Sequence, residues 1–162
     1  MKVPRLVGSL ATVALVLTFI GAAIFPVSAS AVSCIGHSCD GKNPVSTGCN
    51  QNAYLAKRFV IVEKSNGIAL WQTYADVYYS RSCGTNWVRV SGNQYGGNTK
   101  KYIESFNSNG SVMYSMNEVD YGYGSSYSMM VYAPGSTKIV MISSLYDTSG
   151  RVRASTRPVA LW

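Results

Sequence analysis

Lys101-Tyr102-Ile103-Glu104-Ser105-Phe106, the polar Asn107-Ser108-Asn109-Gly110-Ser111, and Val112-Met113-Tyr114-Ser115-Met116-Asn117 form the stretch that decides the fold. In the second flank an extended chain puts Val112, Tyr114 and Met116 on one face and Ser111, Met113 and Ser115 on the other. The Asn109-Gly110 pair between the flanks tolerates positive φ and suits a tight hairpin. Asn109-Gly110-Ser111 also matches a glycosylation sequon, but the turn needs no such explanation.

The same pattern runs outward in both directions. Short runs of Val, Ile, Tyr, Thr and Ser are separated by Gly, Asn, Asp and Pro, which predicts strands over 59–64, 69–79, 87–91, 101–106, 112–117, 127–133, 138–144 and 152–156. Pro134-Gly135 suits the centre of a type II turn, and Asp147-Thr148-Ser149-Gly150 offers a further reversal. Lys138, Val140 and Ile142 alternate with Ile139, Met141 and Ser143. Both sets are partly apolar, so this strand is expected at the centre of a sheet or covered on both faces. The one helical signal after the N-terminal segment, 51–57, reads equally as the lead-in to a strand. The expectation is an all-β fold, a small antiparallel β-sandwich or barrel of about eight short strands.

A signal peptide helix is expected ahead of it. Lys2 and Arg5 precede an uncharged run from Leu6 to Val27, and Ala29-Ser30-Ala31 supplies a small-x-small cleavage site. This predicts a secretory signal peptide over 1–31 and a single disulfide-stapled β domain over 32–162. Two rival readings exist. The apolar run is long enough to remain as an uncleaved membrane anchor. Ala31-Val32-Ser33-Cys34 faintly resembles a lipoprotein box, but Ser33 stands where Gly or Ala is usual, and lipidation would strand one thiol of the remaining three. Removing Lys2 and Arg5 leaves twelve Lys and Arg against seven Asp and Glu, a net charge of +5. That excess biases encounter toward anionic surfaces. No basic run accompanies a nucleic-acid-binding module, so nucleic acid is not an expected partner.

All four cysteines lie in two stretches. The first is Cys34-Ile35-Gly36-His37-Ser38-Cys39-Asp40-Gly41-Lys42-Asn43-Pro44, running on to Gly48-Cys49; the second is Tyr79-Ser80-Arg81-Ser82-Cys83-Gly84-Thr85-Asn86-Trp87-Val88-Arg89. Through Cys34-x-Gly36-x-x-Cys39-Asp40-Gly41-Lys42-x-Pro44, Gly48-Cys49 and Tyr79-Ser80-x-x-Cys83-x-x-x-Trp87-x-Arg89, the chain resembles the secreted Gram-positive family known as domain of unknown function 2690, or YjfA-like. The resemblance runs from Cys34 to Val90. It implies secretion and disulfides, and lends no activity. Of three connectivities, Cys34–Cys39 with Cys49–Cys83 is favoured, because Cys34 and Cys39 are near enough to close a small loop around His37.

Few residues offer chemistry. Zinc at Cys34, His37 and Cys39 is the alternative to bridges, but the paired C-x-x-C spacings of structural zinc are missing, and neither a metal nor a cofactor is expected. His37 is the only histidine. No G-x-S-x-G elbow accompanies it, and Ser38 and Asp40 read as turn residues. Glu118 and Asp120 alternate, so both carboxylates point to one side of a strand, as a solvated face or as paired acids of a glycosidase or calcium site. Tyr121-Gly122-Tyr123-Gly124-Ser125-Ser126-Tyr127 mixes amphipathic rings with an adaptable backbone, as antibody loops do; Tyr121, Tyr123 and Tyr127 are the candidate ligand-binding residues. Trp87, beside Cys83, reads as a core aromatic on a disulfide with Arg89 covering its edge.

The expected function is a secreted, extracellular or cell-wall-associated binding module without catalysis, its partner an anionic cell-wall polymer or carbohydrate. Membrane contact would come only through an uncleaved leader. The alternatives are a secreted polysaccharide or cell-wall hydrolase using Glu118 and Asp120, and a secreted antagonist or inhibitor.

Overall fold

The computed structural model describes residues 31–65 and 68–162, so the expected signal peptide helix lies outside the described residues apart from Ala31. Two five-stranded antiparallel sheets face each other, giving a sandwich rather than a barrel. The first contains β1 (Ala53–Ser65), β2 (Ile68–Ser80) and β3 (Thr85–Val90), with β6 (Ser126–Tyr127) and β7 (Val131–Tyr132) both paired to the far edge of β3. The second contains β4 (Gly96–Phe106), β5 (Val112–Tyr121) and β8 (Ile139–Asp147), with β9 (Val152–Ser155) and β10 (Val159–Leu161) both on β8.

The period-two pattern explains the core. Ala75 and Val77 of β2, Val88 and Val90 of β3, Ile103 of β4, and Ile139, Met141 and Leu145 of β8 all pack between the sheets without solvent exposure. β8 is central, flanked by β4 on one side and by β9 and β10 on the other. Its second face, Val140, Ile142 and Ser144, is half-buried. At the end of β4 the two strands approach closely: a Cβ on Gly97 would lie 2.1 Å from the carbonyl oxygen of Asp147, so only glycine fits.

Polar clamps join the layers at one edge. Glu63 of β1 receives Arg153 of β9 at 2.7 Å and the Tyr95 hydroxyl at 2.5 Å, and the Arg153 guanidinium lies over the Tyr95 ring. The Tyr95 hydroxyl, and after it Arg153, hold the Glu63 carboxyl below its usual range. Within the first sheet, Arg58 grips the buried Asp76 with two hydrogen bonds of 2.7 and 2.8 Å. At the β8–β9 turn, Asp147 Oδ1 accepts the Ser149 hydroxyl and the backbone N–H groups of Ser149 and Arg151.

A third layer comes from residues 31–52, a strap crossing the outer face of the first sheet. It contains one short 3-10 turn, Gly36–Cys39. Both favoured bridges are formed, Cys34–Cys39 and Cys49–Cys83. Their sulfurs, with Trp87 and Met130, make a second buried cluster on the face opposite the main core. Trp87 and Val88 are therefore both buried, each in a different core.

Several expectations change. Among the described residues ten strands form, against the eight or so expected. The single strand expected over 127–133 is split into β6 and β7, because Met130 exchanges backbone hydrogen bonds with Gly41 and Lys42 of the strap instead of with β3. β1 and β2 run to 13 residues each, and β10, beyond Pro158, was not anticipated. The 51–57 segment is the lead-in to a strand, since β1 begins at Ala53. The Asn109-Gly110 hairpin holds, with Gly110 at φ 84 and Asn107 paired to Ser111. At Pro134-Gly135, glycine takes φ 57, but the closing bond runs from Thr137 N–H to the Pro134 carbonyl, one residue later than a type II turn centred on this pair requires.

The two bridges are expected to contribute unequally. Cys49–Cys83 spans 34 residues and Cys34–Cys39 spans 5, worth about 4 and about 2 kcal/mol respectively by loop-closure entropy. Denaturant unfolding of Cys83→Ser beside Cys39→Ser tests the ranking; equal losses would refute it.

A pH dependence follows from Asp147. Its carboxyl is lowered from 3.8 to about 2, chiefly by the Ser149 hydroxyl and then by the Arg151 N–H. Its stabilisation is complete above the unfolded value and is lost as pH falls through the folded one. Asp147→Asn is expected to lower the unfolding midpoint at neutral pH, with the difference from the parent protein shrinking from about pH 3.8 and vanishing below about pH 2. A difference that persists unchanged in acid would refute this account.

Candidate functional site

Two clefts open where the strap meets β3, β5 and β6. The first, of about 390 Å³, is lined by Pro44, Val45 and Asn50 of the strap and by Tyr78, Trp87, Arg89 and Tyr127. Tyr78 and Trp87 are opposite each other in the β2–β3 register. Their rings stack at 5.8 Å with 14° between planes, giving the cleft an aromatic floor. Arg89, two residues along the same face of β3, is exposed at the rim. Asn43 fastens the strap over this region. Its Oδ1 accepts the N–H groups of Val45 and Ser46, and its Nδ2 donates to the Tyr127 hydroxyl at 3.2 Å.

The second cleft, of about 300 Å³, shares Ser125 and Tyr127 with the first and adds Asn43, Thr99, Glu118, Asp120, Tyr121 and Gly122. It is polar, and a buried cation underlies it. Lys101 of β4 is fully buried, with Nζ donating to the Asp120 carboxylate, to Ser126 Oγ at 3.0 Å and to the Thr99 carbonyl at 3.4 Å. Glu118 stands directly across from Lys101 in the β4–β5 register. An ammonium taken fully out of water needs such partners. Asp120 is thus engaged as the counter-ion of Lys101 instead of standing as a free acid.

The tyrosines named from sequence divide. Tyr121 and Tyr127 line the second cleft, and Tyr127 also forms the boundary with the first. Tyr123 lies elsewhere, its ring against Gly96 and its carbonyl accepting the Asn93 N–H. Glu118 and Asp120 do fall in one cleft. His37 is a strap fastener: Nδ1 pairs with Asp40 Oδ2 at 2.9 Å, its ring packs on Tyr132 at 4.2 Å, and Asp40 Oδ1 accepts the Tyr132 N–H. Ser38 bonds back to Ile35. Sequence reasoning missed Tyr78 and Lys101, and gave Trp87 and Arg89 a structural role only. The alternation that places Trp87 and Arg89 on one face was readable; the strap wall beside them was not.

Removing Asp120 should expose the cost of the buried ammonium. Asp120→Ala is expected to destabilise by about 3 kcal/mol, whereas Asp120→Ala combined with Lys101→Met recovers most of the loss. Denaturant unfolding checks both; a silent single substitution would show that Lys101 does not depend on Asp120.

No curated protein and no solved structure matches this chain. A family described as protein of unknown function (DUF2690) matches residues 37–140, which carries the likeness beyond Val90 through β4 and β5 and into β8. By that match over more than half of its length, the chain belongs to the DUF2690 family.

Proposed function

We propose that this is an exported, non-catalytic binding module whose joined clefts take a carbohydrate or an anionic cell-wall polymer. The observation that carries the reading is the cleft walled by the half-buried rings of Tyr78 and Tyr127, with the buried Trp87 stacked on Tyr78 and Arg89 at the rim. Aromatic faces offer broad contact to the apolar side of a sugar ring, and Tyr127 keeps a hydroxyl for its polar edge. Arg89 adds a cation for an acidic unit, and the neighbouring polar cleft supplies hydrogen-bonding groups for the next one along. Export is supported by the leader-like N-terminus and by two disulfides, which persist in oxidising compartments. Among the described residues no helix is long and apolar enough to cross a membrane.

Retention of the purified protein on insoluble cell wall, at low and high salt, tests the reading. Tyr127→Ala is expected to weaken retention about tenfold at either salt. Arg89→Ala is expected to remove the salt-sensitive part only, with its thermal unfolding near that of the parent. Tyr127→Phe, which keeps the packed ring, is expected to retain most of the binding that Tyr127→Ala loses. Absence of retention at both salts, or retention indifferent to Tyr127, would overturn it.

A further inference from the structure

The two disulfides are neighbours. Cys34 Sγ and Cys49 Sγ belong to different bridges yet lie 3.8 Å apart, and all four sulfurs fall within 4.8 Å of one another. Tetrahedral zinc with four thiolates at about 2.3 Å sets sulfur–sulfur edges of about 3.8 Å. One such edge is already in place between Cys34 and Cys49. Of the other five edges, the two within the bridges must lengthen from about 2.1 Å, and the three remaining cross-bridge edges already lie within 4.8 Å.

The surrounding backbone favours the same convergence. Each cysteine has a glycine at positive φ within two residues: Gly36 (65°) after Cys34, Gly41 (71°) after Cys39, Gly48 (76°) before Cys49 and Gly84 (69°) after Cys83. These turns bend separate pieces of chain around one point. Cys39, Cys49 and Cys83 are fully buried and Cys34 nearly so, with Trp87 and Met130 closing the cluster against water.

We propose that the reduced protein binds one divalent ion of the zinc class through Cys34, Cys39, Cys49 and Cys83. The same cluster then exists in two forms, a pair of bridges in an oxidising medium and a metal centre in a reducing one. Opening both bridges takes four electrons from two equivalents of an external dithiol or phosphine and yields four thiols. The four protons come from the dithiol itself or, with a phosphine, from the two waters whose oxygens end up in the phosphine oxide. Metal binding then forms four metal–sulfur bonds and releases the four thiol protons. The metal would hold the strap on β3 in place of the bridges, so the fold would survive a reducing compartment.

The test is to reduce the purified protein with a phosphine under nitrogen and titrate it with cobalt(II) as a spectroscopic probe. The expected result is one cobalt per chain, with a thiolate-to-cobalt charge-transfer band, tetrahedral ligand-field bands, and the β-sheet circular dichroism of the oxidised protein. Zinc should displace the cobalt. The double variant Cys34→Ser/Cys39→Ser keeps the Cys49–Cys83 bridge for folding and is expected to lose the tetrathiolate spectrum after reduction. A reduced parent protein without the charge-transfer band would overturn the proposal. So would an unchanged spectrum in the double variant, or a cobalt complex without β-sheet structure.

Discussion

The Cys49–Cys83 bridge joins the strap to the turn between β2 and β3, and much of the rest of the molecule is arranged around that join. Once Cys49 is fixed, the strap lies along the outer face of the first sheet. It then bonds through Gly36 to Cys83, through Gly41 and Lys42 to Met130, and through Asp40 to Tyr132. Those contacts interrupt the chain between β6 and β7 and leave β3 as the common edge for both. Pro44, Val45 and Asn50 stand on the same strap, so one wall of the aromatic cleft is carried by the segment that the bridge and these contacts hold in place.

Covering both faces of the first sheet also resolves how a short β3 can bury nearly every side chain. Val88 and Val90 serve the core between the sheets, while Trp87 serves the cluster around the sulfurs. Arg89, on the Trp87 side but beyond the strap, is left at the rim. The border of the strap therefore divides structural from solvent-facing residues along a single strand. A comparable border occurs at Lys101. Its side chain lies on the buried face of β4, between Thr99 and Ile103, and finds Asp120, Ser126 and the Thr99 carbonyl, which makes the adjacent cleft polar.

Local patterning carried a good deal of this. Alternation in Val112–Met116 and Ile139–Ser143 reports which residues face a core because a strand has a period of two, and the Asn109-Gly110 turn is written in two residues. The failures have physical causes as well. The break at Ser128-Met129-Met130 comes from strap residues more than eighty positions earlier, and no local propensity encodes it. Tyr121, Tyr123 and Tyr127 share a composition but not a destination: Tyr123 turns toward Gly96, while the other two line a cleft.

By itself the sequence determined the all-β class, most strand positions, the favoured bridge pairing and the family likeness, since each depends on near-neighbour spacing or on a short motif. Only the tertiary structure decided that the strands form a sandwich, that Tyr78 and Trp87 stack beneath Tyr127, and that four sulfurs meet at one point. Those features depend on which residues remote in the chain are brought into contact, and such contacts are settled by burial and chain closure over the whole molecule.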